Sequence, residues 1–131
     1  PVAECEAIKL THWAIDKGIN FIDTATGYGD SEEKIGKAIR GQRENLIIAS
    51  KAPPSTHQKM SECIDKSLQR LQIETIDLYQ FHLIKDEQSL NKALELLPVL
   101  EKAKEQGKIR HIGQMSLGNT ELKGNYAASI F

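Results

Sequence analysis

Four residues of this 131-residue chain have the types and spacing for proton chemistry: Asp23, Tyr28, Lys51 and His82. Asp23, Lys51 and His82 each close an apolar run, Phe21-Ile22-Asp23, Leu46-Ile47-Ile48-Ala49-Ser50-Lys51 and Leu78-Tyr79-Gln80-Phe81-His82, and Tyr28 stands in the loop Thr26-Gly27-Tyr28-Gly29 after the first. Singly, each has a duller explanation: an acid that accepts loop N–H bonds, a half-exposed aromatic, a solvated lysine, a satisfied strand histidine. Together they set an acid, a phenol, an ammonium and an imidazole at the same end of consecutive strands. A phenol with a free pKa of about 10 is a weak acid at neutral pH, and a neighbouring ammonium favours the phenolate left after proton donation. Lys51 would be that ammonium, and Asp23 a paired carboxylate that offsets the cost of burying it. His82 would orient a carbonyl oxygen by hydrogen bonding. Such a set protonates an oxygen as negative charge develops on it, which is what reduction of an aldehyde or ketone by hydride requires.

The elements that would position these groups repeat along the chain. Residues 3–17 carry Ala7, Leu10, Ala14 and Ile15 near helical spacing, with Trp13 as a packing residue and Gly18 as a left-handed stop. Ile19-Asn20-Phe21-Ile22 reads as a strand, and Ser31 with Glu32 and Glu33 as the N-cap and acidic first turn of a helix whose inner face is Ile35, Ala38 and Ile39. Asn45 to Ser50 is a second strand, and Pro53-Pro54 forbids a hairpin return. A third helix places Cys63, Ile64, Leu68 and Leu71 on one side, and a third strand from Thr75 ends on His82. From Leu90 to Gln106 the pattern is helical, with Pro98 expected to open a second helix rather than sit inside a long one. Lys108 to Gly113 is a fourth strand, and from Leu117 onward there is no assignable pattern.

Strands beginning near residues 19, 45, 76 and 109, each separated by a helix, predict a parallel α/β sheet. A doubly wound sheet would spread strand-end residues along a crevice, whereas a barrel closes them around one axial cavity. The convergence of Asp23, Lys51 and His82 favours (β/α) repeats of a TIM barrel. Formal net charge of −1, with lysines interleaved among acids, offers no field to gather nucleic acid or an anionic membrane. Cys5 and Cys63 have no partner spacing for a disulfide framework or zinc, and read as reduced thiols of a cytoplasmic protein. His12, His57 and His111 lack metal-ligand spacing, so no metal is expected. Gly27-Tyr28-Gly29 is no dinucleotide fingerprint, because Glu32 replaces the third glycine and Asp30, Glu32 and Glu33 would repel a pyrophosphate.

Gly18-Ile19-Asn20-Phe21-Ile22-Asp23-Thr24-Ala25, then Tyr28-Gly29, Ser31-Glu32 and Ile35-Gly36, resembles the signature of the aldo-keto reductases. Ala49-Ser50-Lys51 is similar to that family's lysine strand, Asp77 to His82 to its histidine strand, and Gly107 to Gly113 to the next, so the resemblance covers roughly residues 3–113. It implies a (β/α)8 barrel that reduces small carbonyl substrates to alcohols with NADP(H), or alternatively NAD(H). It implies Tyr28 as general acid, tuned by Asp23 and Lys51, with His82 orienting the substrate, and Asp23 and Ser116 as cofactor contacts. Where the family has one residue and then Ser-Asn after the glycine, this chain has Gln114-Met115-Ser116-Leu117, and Ser116 is the nearest counterpart.

A full barrel needs eight strands in at least about two hundred residues. The chain is therefore expected to form one partial barrel domain over 1–131, roughly the first half, with 117–131 matching nothing expected there. Two open sheet edges would invite self-association. Catalysis by this portion alone is not expected. A non-catalytic binding or regulatory subunit on the same scaffold, or a non-functional truncated remnant, are the alternatives from other classes.

Overall fold

A computed structural model describes residues 2–116. Helix α1 (Glu4–Asp16), strand β1 (Phe21–Asp23), α2 (Ser31–Ala38), β2 (Ile47–Ala52), α3 (His57–Leu71), β3 (Ile76–Ile84), α4 (Glu87–Glu105) and β4 (Ile109–Ser116) follow one another, with a 3-10 turn at Arg43–Asn45. The four strands form one sheet in the order β1-β2-β3-β4, every neighbouring pair parallel. Sequence neighbours are thus spatial neighbours, as a succession of helical crossovers requires. The expectation of a parallel sheet built from alternating helices and strands holds.

One face of the sheet packs under the helices. Ile48, Ala52, Tyr79, Phe81 and Ile112 from the strands meet Ile39, Met60, Ile64, Leu71, Leu96 and Leu100 in one apolar core. Each large side chain buried there contributes about 1.5–3 kcal/mol relative to exposure. Helix α3 is fixed at its start by Thr56, whose hydroxyl accepts from the Lys59 N–H, and at its end by Gln72 in the left-handed region at φ 57°. Helices α2 and α3 approach closely at Gly36. A Cβ there would stand 2.6 Å from the Arg70 carbonyl oxygen and equally near the Leu71 carbonyl, so only glycine permits the crossing.

Four local expectations are corrected. Pro98 lies inside the continuous helix α4. Its exposed position lets the missing hydrogen bond fall on the solvent side, while Leu96 and Leu100 on either side bury into the same core and hold the helix together. That helix starts earlier than its apolar pattern, at a capping box between Asp86 and Ser89. Ser31 is the first helical residue of α2 rather than its cap: Asp30 takes the N-cap position, and Ser31 Oγ accepts from Thr24 Oγ1 at 2.9 Å. Trp13 is 58% exposed and Leu10 is 63% exposed, because α1 buries no residue completely and packs chiefly against α2.

Among the described residues no helix lies over the other sheet face. Phe21 and Ile47, register partners at its lower edge, are both exposed. Among the described residues β1 and β4 each pair on one side only, and no helix is long and apolar enough to cross a membrane. Leu117 onward, left unassigned by pattern, lies outside the described residues.

Candidate active site

Alternation along each strand decides which side chains share the open face. Asp23 is level with Ala49 and Lys51 with Gln80, and His82 follows Gln80 by two residues. Asp23, Lys51, Gln80 and His82 therefore project to one side, at the C-terminal ends of three adjacent strands. Strand β3 continues two residues past His82, to Ile84, where its pairing with β4 shifts register and Leu83 turns to φ 64°. The apolar run alone predicts a strand that ends on His82, short of this irregularity.

Lys51 is 2% exposed, and its ammonium is shared between the Asp23 carboxylate and the Thr24 carbonyl oxygen, the latter at 2.9 Å. A buried ammonium demands such partners. Asp23 itself is 44% exposed, and its second oxygen is approached by Gln80 Nε2 at 3.5 Å. Lys51 Nζ lies 5.2 Å from the centroid of the Tyr28 ring, and that ring meets His82 edge to face, centroids 5.8 Å apart at 83°. His82 is 7% exposed. Burial holds its imidazole below the ordinary range, the Lys51 ammonium pushes the same way, and the Asp23 carboxylate opposes them. A neutral imidazole thus stands beside a phenol and an ammonium.

The structure brings Asp23, Tyr28, Lys51 and His82 into one cluster. Ser116 lies at the same strand ends, at the close of β4, and among the described residues it makes no hydrogen bond to any of the four. Two participants escaped sequence reading. Gln80 could have been found by its period of two with His82, and Thr24, fully buried, contributes a backbone carbonyl that no side-chain pattern reports. Tyr79 is the contrasting phenol: it lies on the helix-covered face, fully buried, and burial pushes it well above the ordinary range. Tyr28, 48% exposed, is the phenol that a small molecule could reach. The described clefts lie elsewhere, for example between α3 and α4 around Ser61, Asp65 and Lys102. The four-residue cluster sits instead on an open sheet face, which the further strands of a barrel would wall in.

The sequence matches the Aldo/keto reductase family over residues 1–122. It is 36% identical over 126 residues to a 6-dehydroglucose reductase of Novosphingobium aromaticivorans, covering 82% of this chain and 40% of the relative. It is 34% identical over 124 residues to an L-galactose dehydrogenase of Arabidopsis thaliana, covering 86% of this chain and 39% of the relative. The fold superposes with a TM-score of 0.77 on the crystal structure of an aldo/keto reductase from Klebsiella pneumoniae in complex with NADP and acetate, at 34% identity, covering 90% of this chain and 41% of that one. The chain thus spans about two-fifths of the length of the curated relatives it matches.

Proposed function

The chain belongs to the aldo/keto reductase family, and from that premise we propose that it carries the proton-delivering part of an NADPH-dependent carbonyl reductase. The observation that carries this reading is the contact set around Tyr28: an exposed phenol with a buried ammonium over its ring and a buried imidazole in T-shaped contact with it. In this reading Tyr28 donates its proton to the carbonyl oxygen of an aldehyde or ketone. Lys51 stabilises the phenolate left behind, and the Asp23 carboxylate holds the ammonium in place. His82, kept neutral by burial, donates a hydrogen bond to the same oxygen without competing as a cation.

The residues present fit the reacting end of a nicotinamide cofactor. Asp23 has an accessible carboxylate oxygen, approached among the described residues by Gln80 at 3.5 Å, able to accept from ribose hydroxyls. Ser116 offers a hydroxyl at the same strand ends, suited to a carboxamide. When bound, the cofactor supplies the hydride that makes proton delivery by Tyr28 a reduction. The NADP complex of the Klebsiella relative supports the choice of NADP(H). Small carbonyl compounds are the substrate class that proton delivery to an oxygen serves.

The proposal assigns the proton chemistry to these residues and enclosure of the site to further strands, so the chain alone is expected not to turn over. The decisive experiment replaces the matching part of the Klebsiella enzyme with residues 2–116 and follows NADPH oxidation with 4-nitrobenzaldehyde. The chimera is expected to reduce it, and Tyr28→Phe to lower kcat by about 10²–10⁴-fold with little change in NADPH affinity. A Tyr28→Phe chimera with unaltered kcat would remove Tyr28 from the role.

A further inference from the structure

The loop bearing Tyr28 is held at both ends by three consecutive residues of β2. At its entry the Thr24 N–H donates to the Ala49 carbonyl oxygen at 2.9 Å, and the Thr26 N–H and hydroxyl both donate to the Lys51 carbonyl oxygen at 3.0 and 3.2 Å. At its exit the hold is a side chain. Glu32, in the first turn of α2, is 1% exposed, and its Oε1 accepts from Ser50 Oγ at 2.6 Å. Ser50 lies between Ala49 and Lys51 and its side chain points to the helix-covered face, so one strand holds the loop's entry through its backbone and the exit through a side chain.

Burying a carboxylate is costly, and this one is incompletely compensated. Glu32 Oε2 lies 3.5 Å from Arg70 Nη1 and has no hydrogen-bond partner among the described residues. A favourable charge for the helix N-terminus does not require this burial, since exposed Glu33 in the same turn already supplies it. The close crossing of α2 and α3 at Gly36 keeps Glu32 under Arg70 and turned toward the sheet.

We propose that Glu32 is a positioning residue for Tyr28: through Ser50 it fastens the exit of the Tyr28 loop to the strand that carries Lys51, and so sets where the phenol stands against His82. The inference rests on the proposed function only for the meaning of that position. Its test uses no turnover, so positioning and catalytic role fail separately.

The readout is the ring-current shift that the edge-to-face Tyr28 ring imposes on the His82 imidazole protons. Proton–carbon spectra of the 131-residue chain are recorded at about pH 8, where an ordinary imidazole is neutral. His82→Gln assigns the signal, and Tyr28→Ala marks its place without the ring. Ser50→Ala and Glu32→Ala are each expected to move the His82 signal more than halfway to the Tyr28→Ala position. Glu32→Gln, which keeps an acceptor oxygen for Ser50, is expected to stay near the wild type. So is Ser67→Ala, which alters a buried hydroxyl with no bond to the loop. Folded Glu32→Ala or Ser50→Ala protein with the His82 signal in its wild-type place overturns the proposal. Should Glu32→Ala not fold, Ser50→Ala decides alone, since it deletes a single hydroxyl.

Discussion

Two carboxylates pair with cations at opposite ends of the same sheet, and they do so in different ways. At the N-terminal end, Asp77 accepts from Arg43 Nη2 at 2.6 Å, from Arg110 Nη1 at 2.8 Å and from the Ile48 N–H at 2.8 Å, with its side chain 9% exposed. At the C-terminal end, Asp23 takes the Lys51 ammonium and a distant amide, and 44% of its side chain stays accessible. The acid is saturated at one end, whereas at the other the cation is buried and the acid left open. Saturation satisfies charges and joins β2, β3 and β4 to the turn that carries Arg43. Incomplete coordination leaves a carboxylate oxygen and a phenol accessible beside the buried imidazole, where they could meet a ligand. The same ion-pair chemistry reads as structural below and, under the proposed function, as reactive above, where parallel α/β proteins place their sites.

That contrast breaks first, and most strongly, at Asp77. Asp77→Ala removes an acceptor from two guanidinium groups and strands the N–H of buried Ile48, at an expected cost of about 3 kcal/mol. Asp77→Asn, which keeps one acceptor oxygen, should cost roughly half as much. Urea unfolding of the chimera measures both, and kcat per folded molecule should stay near its starting value. A stability loss under about 1 kcal/mol would show that the saturated end is no more structural than the open one.

Lys51 should show the reverse profile. Lys51→Met fills similar volume without a charge, and half-exposed Asp23 remains hydrated after losing its partner. Replacement of a buried ion-pair member by an apolar side chain of matching size is then expected to change stability by less than about 1.5 kcal/mol in either direction. Turnover should fall by about 10²-fold or more as the phenolate loses its neighbouring charge. Large destabilisation with preserved kcat would make Lys51 another Asp77.

How much of this contrast could be read from sequence depended on periodicity. Asp23, Lys51 and His82 were legible because each interrupts an apolar run in a strand, and the alternation of two then places them on one face. Asp77 was not, since its partner Arg43 comes from a short 3-10 turn that no apolar pattern announces. Glu32 reads by itself as an ordinary first-turn acid. Yet it lies three, four and seven residues before Ile35, Gly36 and Ile39, on the stripe that α2 turns inward, and that spacing was the available signal of its burial. At Pro98 local propensity argues for a break, whereas Leu96 and Leu100 packing into one core override it.

The smallest expected effect is also the most specific to the open end, because it passes through His82. Burial first and the Lys51 ammonium second hold this imidazole below its ordinary value, with the Asp23 carboxylate opposing both. Between the folded value and about 6.5, the unfolded chain therefore binds more protons than the folded one. Stability supported by the neutral imidazole is full above about pH 6.5 and is lost as pH falls through the folded value. Lys51→Met should raise the His82 midpoint only part of the way to its ordinary position, since burial remains, and should shrink the acid-side loss. Asp23→Asn should lower the midpoint further by removing the one opposing charge. Imidazole shifts followed by NMR across the acid range read all three; a wild-type midpoint at or above the ordinary value would overturn this account of burial and charge, and one above about pH 7 would mean that His82 enters the site as a cation. The proposed proton donor Tyr28 would then have a competing acid beside it, at the edge-to-face contact of the two rings.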